Sequence, residues 1–143
     1  MSNEIKTLNS SIELGTRSAM ILVSTGRKAS LDDLVTLDYA LLYSREFGGP
    51  YNLHPALPNH FAEIIHRREH LPNALSLFVK KGVISVEANN SGYQYYSNDR
   101  TLDFVSCLQE PYFKKIWGVL GWICDNYNRI AEMDISAMTE RRA

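Results

Sequence analysis

Residues 75–97, LSLFVKKGVISVEANNSGYQYYS, decide the fold. They predict a helix that ends at Gly82 and leads directly into a β-hairpin. Residues 83–87 are strand formers, the tyrosines at 93, 95 and 96 form the returning strand, and Asn-Asn-Ser-Gly at 89–92 supplies the turn. Since successive strand residues point to opposite faces, Tyr93 and Tyr95 should share one face and Tyr96 should point to the other.

The segments before the hairpin have helical spacing. SSIELGTRSAMILVST predicts a helix capped by Ser10 or Ser11 and ended by Gly26, and SLDDLVTLDYALLYS predicts a second helix capped by its first serine. HFAEIIHRREH predicts a third, and LPNALSLFVKKG a fourth with Pro72 in its first turn. A short helix-turn-helix that runs into a hairpin is typical of a winged helix.

Two further helices are predicted after the hairpin, in DRTLDFVSCLQ and in PYFKKIWGVLGWICDNYNRI, which Pro111 opens. The predicted fold class is therefore α+β, mostly α: one winged helix-turn-helix domain over 1–143, with its core at about 8–130 and a fraying tail at 131–143. The loop at 45–59, REFGGPYNLHPALPN, is too rich in glycine and proline for a continuous helix or strand. Long loops of this kind are functional or are anchored by their own side chains.

The composition excludes several classes of protein. Fifteen basic and sixteen acidic residues give a net charge of −1, so the chain lacks the overall positive charge that is typical of nucleic-acid-binding domains. No apolar run is long enough for a membrane span, and the start lacks the pattern of a secretory signal, so we expect a cytoplasmic protein with no membrane partner. Cys107 and Cys124 are then predicted to be free, buried thiols. No phosphate-binding GxxxxGK[ST] motif and no specific Ser-His-Asp pattern occur, so neither an ATPase nor another enzyme is expected.

All four histidines lie in HPALPNHFAEIIHRREH, residues 54–70. On a helical wheel, Phe61, Ile64, Ile65 and Arg68 cluster on one side. The opposite, polar side carries His60, Glu63, His66, Arg67 and His70. These spacings would let imidazoles meet one metal ion, but the same pattern is that of a solvated face with a Glu63–Arg67 ion pair. Because arginines repel cations and no HExxH motif is present, we predict no metal and no other cofactor.

Arg67, Arg68, Lys80 and Lys81 are the only basic concentration near the predicted helix-turn-helix. A solvated face explains them better than a DNA patch does. Side chains that read bases usually come from the N-terminal part of a recognition helix, and residues 72–76 offer none that is basic. This favours a subunit that acts through protein contacts over the alternative, a winged-helix DNA-binding transcriptional regulator that acts alone.

Five segments occur in an order that carries a resemblance: LNSSIELGTR, LDYALLYS, GGPYNLHPALPN, EIIHRRE, and KKGVISV followed by YQYYS. Over residues 8–122 the chain resembles the middle component of prokaryotic ABC three-component systems, which are related to Lamassu-type defence against phage and plasmids. The resemblance implies a winged-helix accessory subunit of an SMC-like ABC ATPase, encoded in one operon with that ATPase and an effector. It also implies that DNA is reached through the complex, and it leaves a homodimer open.

The proline-rich loop and the helix after it are then the predicted interface, because a loop with several prolines loses little entropy when a partner orders it. The equal alternative for the loop is that it only packs over its own domain. The candidate partner-binding residues are His54, Glu63, His66, Arg67 and His70. The weaker candidates for nucleic-acid contact are Arg68, Lys80 and Lys81.

Overall fold

The computed structural model describes the backbone of residues 2–54 and 60–133, and the side chains of residues 11–54 and 61–133. The predicted fold class is confirmed: helices dominate, and one antiparallel hairpin lies between the third and the fourth of them. The elements in chain order are α1 (Ser2–Thr25), α2 (Leu31–Leu42), a 3₁₀ helix (Ser44–Phe47), α3 (His60–Lys80), β1 (Ser85–Asn89), β2 (Gly92–Tyr96), α4 (Asp99–Ser106), α5 (Pro111–Asp125) and α6 (Tyr127–Ala131).

Local signals set several of these boundaries as the sequence predicts. Ser30 and Asp33 form a capping box at the start of α2, since each side chain accepts from the backbone N–H of the other. Gly26 and Gly82 follow α1 and α3 with positive φ angles of 63° and 74°, which glycine adopts without strain. Pro111 opens α5 as predicted.

Other boundaries differ from the prediction. α1 starts at Ser2, so the expected cap at Ser10 or Ser11 is wrong; residues 3–9 contain no glycine or proline to interrupt the helix. The last predicted helix ends at Asp125, and α6 follows after Asn126. Cys107 and Cys124 are free but exposed, so the prediction of buried thiols is wrong. Most of the predicted fraying tail, residues 134–143, lies outside the described part of the chain.

The predicted turn between two helices at 71–72 is also wrong, because α3 runs unbroken through Pro72. Proline removes one backbone N–H from a helix, which costs about 3 kcal/mol in an interior position. Here Pro72 is exposed, so water can reach the carbonyl left without a partner. Burial of Leu71, Ala74 and Leu75 on one continuous face offsets the cost.

The hairpin is confirmed, but its first strand covers Ser85–Asn89 and not residues 83–87 as predicted, because the backbone N–H groups of Val83 and Ile84 donate to Phe78 of α3. Val86 lies opposite Tyr95 and Ala88 opposite Tyr93, with Asn89 and Gly92 closing the turn. Ala29, between α1 and α2, adds one more antiparallel bridge to the free edge of β2, through hydrogen bonds of 2.9 and 2.8 Å with Tyr95. The backbone order is therefore helix, bridge residue, helix, helix, hairpin.

The core lies where α1, α2 and α3 meet, and α5 closes it by packing against both α1 and α2. Gly15 of α1 lies directly against Phe78 of α3, because a Cβ added there would lie 2.3 Å from the ring of Phe78. Phe78 in turn packs edge-on against Phe104 of α4, at 5.6 Å between ring centroids. The fold thus requires a residue without a side chain at position 15.

We expect Gly15→Ala to lower the free energy of unfolding by about 1–3 kcal/mol, the usual effect of overpacking a core. Gly121→Ala is the matched control, because a Cβ there meets nothing within 4 Å; it should stabilise α5 by about 0.5–1 kcal/mol. Urea denaturation of both variants measures the difference. If both substitutions changed the free energy of unfolding by the same amount in the same direction, the contact between Gly15 and Phe78 would be looser than described.

Candidate functional site

The most buried charged groups of the described chain form one ion network at the junction of α1, α2 and α3. Asp38 of α2 is fully buried and accepts from Arg17 of α1 at 2.7 Å to Oδ1 and 3.1 Å to Oδ2. Its Oδ2 also accepts from Nε of Arg67 of α3 at 2.9 Å. One carboxylate therefore joins three helices.

Two further acids flank this triad. Glu13 pairs with Arg17 at 3.2 Å, and Glu63 pairs with Arg67 at 3.4 Å, both one helical turn away. Glu63 also accepts a hydrogen bond of 2.7 Å from the hydroxyl of Tyr43. The five charged groups, two arginines and three acids, are thus nearly balanced in the interior of the domain.

The network fixes the protonation states of its members. Burial by itself would raise the pKa of Asp38, but the charges of Arg17 and Arg67 outweigh it and hold the pKa below the usual 3.8. Burial raises the pKa of Tyr43, and its hydrogen bond to Glu63 raises it further. Asp38 is therefore held as a carboxylate and Tyr43 as a neutral phenol.

The long loop is attached to this network. Its start is fixed by backbone hydrogen bonds: Leu53 donates to Leu42 at 2.9 Å, and Tyr43 and Asn52 form a bridge. His54 then contacts the hydroxyl of Tyr112 on α5, at 3.1 Å from Nε2. The prediction that the loop is anchored by its own side chains holds for residues 44–54; residues 55–59 lie outside the described part.

The helical-wheel assignment of α3 is wrong for its central residues. Arg67, placed on the polar face, is only 2% exposed. Phe61 and Ile65, placed on the buried face, are 56% and 36% exposed, although Ile64 is buried as expected. Arg68 is exposed and pairs at the surface with Asp32, at 2.9 Å. Because the helical wheel placed Arg67 with the exposed polar residues, the predicted buried face of α3 was assigned to the wrong side of the helix.

The predicted site residues therefore separate into three groups. His54, Glu63 and Arg67 lie in or against the ion network, so Arg67 has almost no surface left for a partner. His66 and His70 lie next to each other on a partly exposed flank of α3, with ring centroids 4.4 Å apart. Arg68, Lys80 and Lys81 are exposed, and the two lysines follow each other at the end of α3.

Within the described residues, no three histidine, cysteine, aspartate or glutamate side chains are close enough together to hold a metal ion. The side chain of His60, part of the predicted polar face, lies outside that description. Burial, followed by the charge of His70, holds the pKa of His66 below 6.5. The absence of a metal stays a prediction.

The sequence patterns singled out neither Arg17 nor Asp38. Two signals could have found them. Arg17 is the only charged residue between Leu14 and Val23, and Asp38 is the only charged residue in the second helix after Asp33. A charge in such a setting needs a buried partner of opposite sign.

Fold and site together define a small mostly helical domain whose buried charges hold its own helices in place. The chain belongs to the family described as ABC-three component (ABC-3C) system Middle Component 2, whose model matches residues 7–143. This confirms the predicted middle component and makes the chain one part of a multi-component ABC system. No curated protein and no solved structure matches it.

Four of the five segments that carry the resemblance contribute to the network or its attachment. They supply Glu13 and Arg17, Asp38 and Tyr43, His54, and Glu63 and Arg67, respectively.

Arg67→Gln should destabilise the domain by about 3 kcal/mol or more, since it removes one partner from a buried carboxylate. Arg68→Gln is the control next to it in sequence, and it should cost less than about 1 kcal/mol because its ion pair with Asp32 is exposed. Urea denaturation of both variants checks this. A smaller loss for Arg67→Gln than for Arg68→Gln would contradict the assignment of the network.

The stability should also depend on pH through His54. Its burial, followed by the charge of Arg17, holds its pKa below the usual 6.5. The unfolded chain then binds a proton at higher pH than the folded chain does. The contribution of neutral His54 to the free energy of unfolding is therefore complete above about pH 6.5, and it is lost as the pH falls towards the pKa of His54 in the folded protein. The free energy of unfolding, followed from about pH 7.5 to 5, should fall less steeply in His54→Gln than in the parent protein.

The pKa of His66 is lowered as well, so His66 also makes the free energy of unfolding fall as the pH falls. Some pH dependence should therefore remain in His54→Gln. An unchanged or steeper slope in that variant would mean that His54 is not buried against the network.

Proposed function

We propose that this chain is a non-catalytic accessory subunit of an SMC-like ABC ATPase complex, related to Lamassu-type systems, that defends against phage or plasmid DNA. Its scaffold is a winged helix, and it acts through protein–protein contacts with the ATPase and the effector of the same operon. DNA is then reached through the complex. Membership of the ABC-3C middle components supports the part of this proposal that concerns a multi-component system.

The winged-helix assignment rests on the order of the backbone elements. α1, the bridge at Ala29, α2, α3 and the hairpin β1–β2 follow the order of helices and strands of that fold, with the bridge residue pairing to the outer edge of β2. The helix-turn-helix is then formed by α2 and α3, with the long loop in place of a tight turn. This makes α3 the counterpart of a recognition helix.

The outer face of α3 carries the proposal, because its exposed surface begins with apolar side chains. Phe61 is 56% exposed at the start of the helix, and Ile65 follows one turn later. Leu77 is exposed further along the same helix. A DNA reader would place polar or basic side chains at the N-terminal end, whereas here Lys80 and Lys81 lie at the other end. Exposed aromatic and aliphatic groups are instead typical of protein interfaces.

The ion network explains how this face is held outwards. Arg67 is fixed to Asp38 inside the domain, and this sets the rotation of α3 about its axis. Phe61 and Ile65 must then point away from α1 and α2. The apolar surface is a consequence of the buried charges and not of a poorly packed helix.

The proposal is tested by pull-down and calorimetry with the ATPase encoded beside this chain. Phe61→Ser should weaken the complex about tenfold or more, the effect of losing an interface anchor. Leu102→Ser is the matched control, since Leu102 is 54% exposed on α4, and it should leave affinity unchanged. Both variants should keep the melting temperature of the parent protein, because neither side chain is buried.

Isolated protein should bind DNA only non-specifically, with Kd on the order of 10⁻⁴ to 10⁻⁶ M and a steep loss with salt. Tight, sequence-specific binding by the isolated chain, with ATPase association unaffected by Phe61→Ser, would show that the alternative of a lone regulator is correct.

A further inference from the structure

A surface cleft of about 350 Å³ lies between the loop that follows α1 and the corner between α5 and α6. Arg27 forms one wall, and residues 124–129 form the other. The volume is within the range of small-ligand pockets. None of the candidate residues from the sequence analysis lies in it.

Two arginines of this cleft are held in place by aromatic rings and asparagines. The guanidinium of Arg27 lies 4.4 Å from the ring centroid of Tyr127 and donates to Asn128 Oδ1 at 3.3 Å. The guanidinium of Arg129 lies 5.9 Å from the ring of Trp122 and donates to Asn126 Oδ1 at 3.3 Å. Stacking on a ring fixes the plane of a guanidinium and leaves its N–H edge available.

Most of the N–H groups of these arginines have no acceptor among the residues whose side chains are described. A guanidinium has five N–H donors, and each of the two uses one hydrogen bond to an asparagine. Among the described side chains, those of residues 11–54 and 61–133, neither arginine forms an ion pair with a carboxylate, although Asp125 lines the same cleft. This differs from Arg17, Arg67 and Arg68, which are all paired with acids.

We infer that this cleft binds a phosphate group, gripped between Arg27 and Arg129. The guanidinium fork matches the oxygen spacing of phosphate and donates two parallel hydrogen bonds to it. The face of Tyr127 is already covered by Arg27, so the cleft offers a ligand hydrogen-bond donors and not a stacking platform for a base. This inference does not depend on the proposed association with an ATPase.

Cys124 provides a direct readout, because this residue lines the cleft and is exposed, with its thiol donating to the carbonyl of Ser24 at 3.3 Å. Alkylation of Cys124 by iodoacetamide, followed by peptide mass spectrometry, should slow at least about threefold at saturating inorganic phosphate, compared with chloride at equal ionic strength. Cys107 is exposed on another part of the surface and should react at the same rate in both salts.

Arg27→Gln and Arg129→Gln should each abolish the protection of Cys124. Lys114→Gln removes an exposed positive charge of α5 outside the cleft and should leave protection unchanged. A parallel series with a short DNA duplex identifies the source of the phosphate. Protection by inorganic phosphate indicates a small phosphate ligand, and protection by the duplex alone indicates a nucleic-acid backbone.

The inference is overturned if neither probe protects Cys124. It is also overturned if Cys107 is protected equally, or if Lys114→Gln removes protection as fully as the arginine variants do.

Discussion

Burial of one carboxylate, that of Asp38, between two guanidinium groups is the constraint on which the rest of the structure depends. Moving an ion from water into the interior costs several kcal/mol, and only close partners of opposite charge offset that cost. Arg17 and Arg67 come from two different helices, so this compensation exists only when α1, α2 and α3 are docked together. The interaction therefore selects one arrangement of these helices over others that would bury similar apolar area.

The arrangement of α3 has consequences at the surface. With Arg67 turned inwards, Phe61 and Ile65 are turned outwards, and Glu63 is placed to accept from Tyr43 at the beginning of the long loop. His54, at the other end of the described loop segment, meets Tyr112 of α5. The buried charges thus connect the loop to the outer face of α3, the surface that the proposed function assigns to a partner.

Much of this fold could be predicted from the sequence. The hairpin followed from strand formers on either side of Asn-Asn-Ser-Gly, and the helix ends followed from Ser30, Gly26, Gly82 and Pro111, because these signals act within a few residues. Pro72 misled the prediction, since whether a proline breaks a helix depends on which side of it faces solvent.

The site was harder to predict, because it depends on contacts between residues far apart in the chain. Arg17 and Asp38 are 21 residues apart, and Asp38 and Arg67 are 29 apart. Hydrophobic periodicity treats arginine as a surface residue, so it assigned Arg67 to the wrong face.

The ionisation state of Asp38 tests the central claim most directly. Its carboxyl ¹³C signal can be followed by NMR while the pH is lowered and the protein is still folded. With two guanidinium groups against it, the carboxylate should stay ionised below its usual pKa of 3.8 and should protonate together with unfolding. Titration at or above 3.8 in the folded protein would show that Arg17 and Arg67 do not hold this charge, and that the helices are fixed by other means.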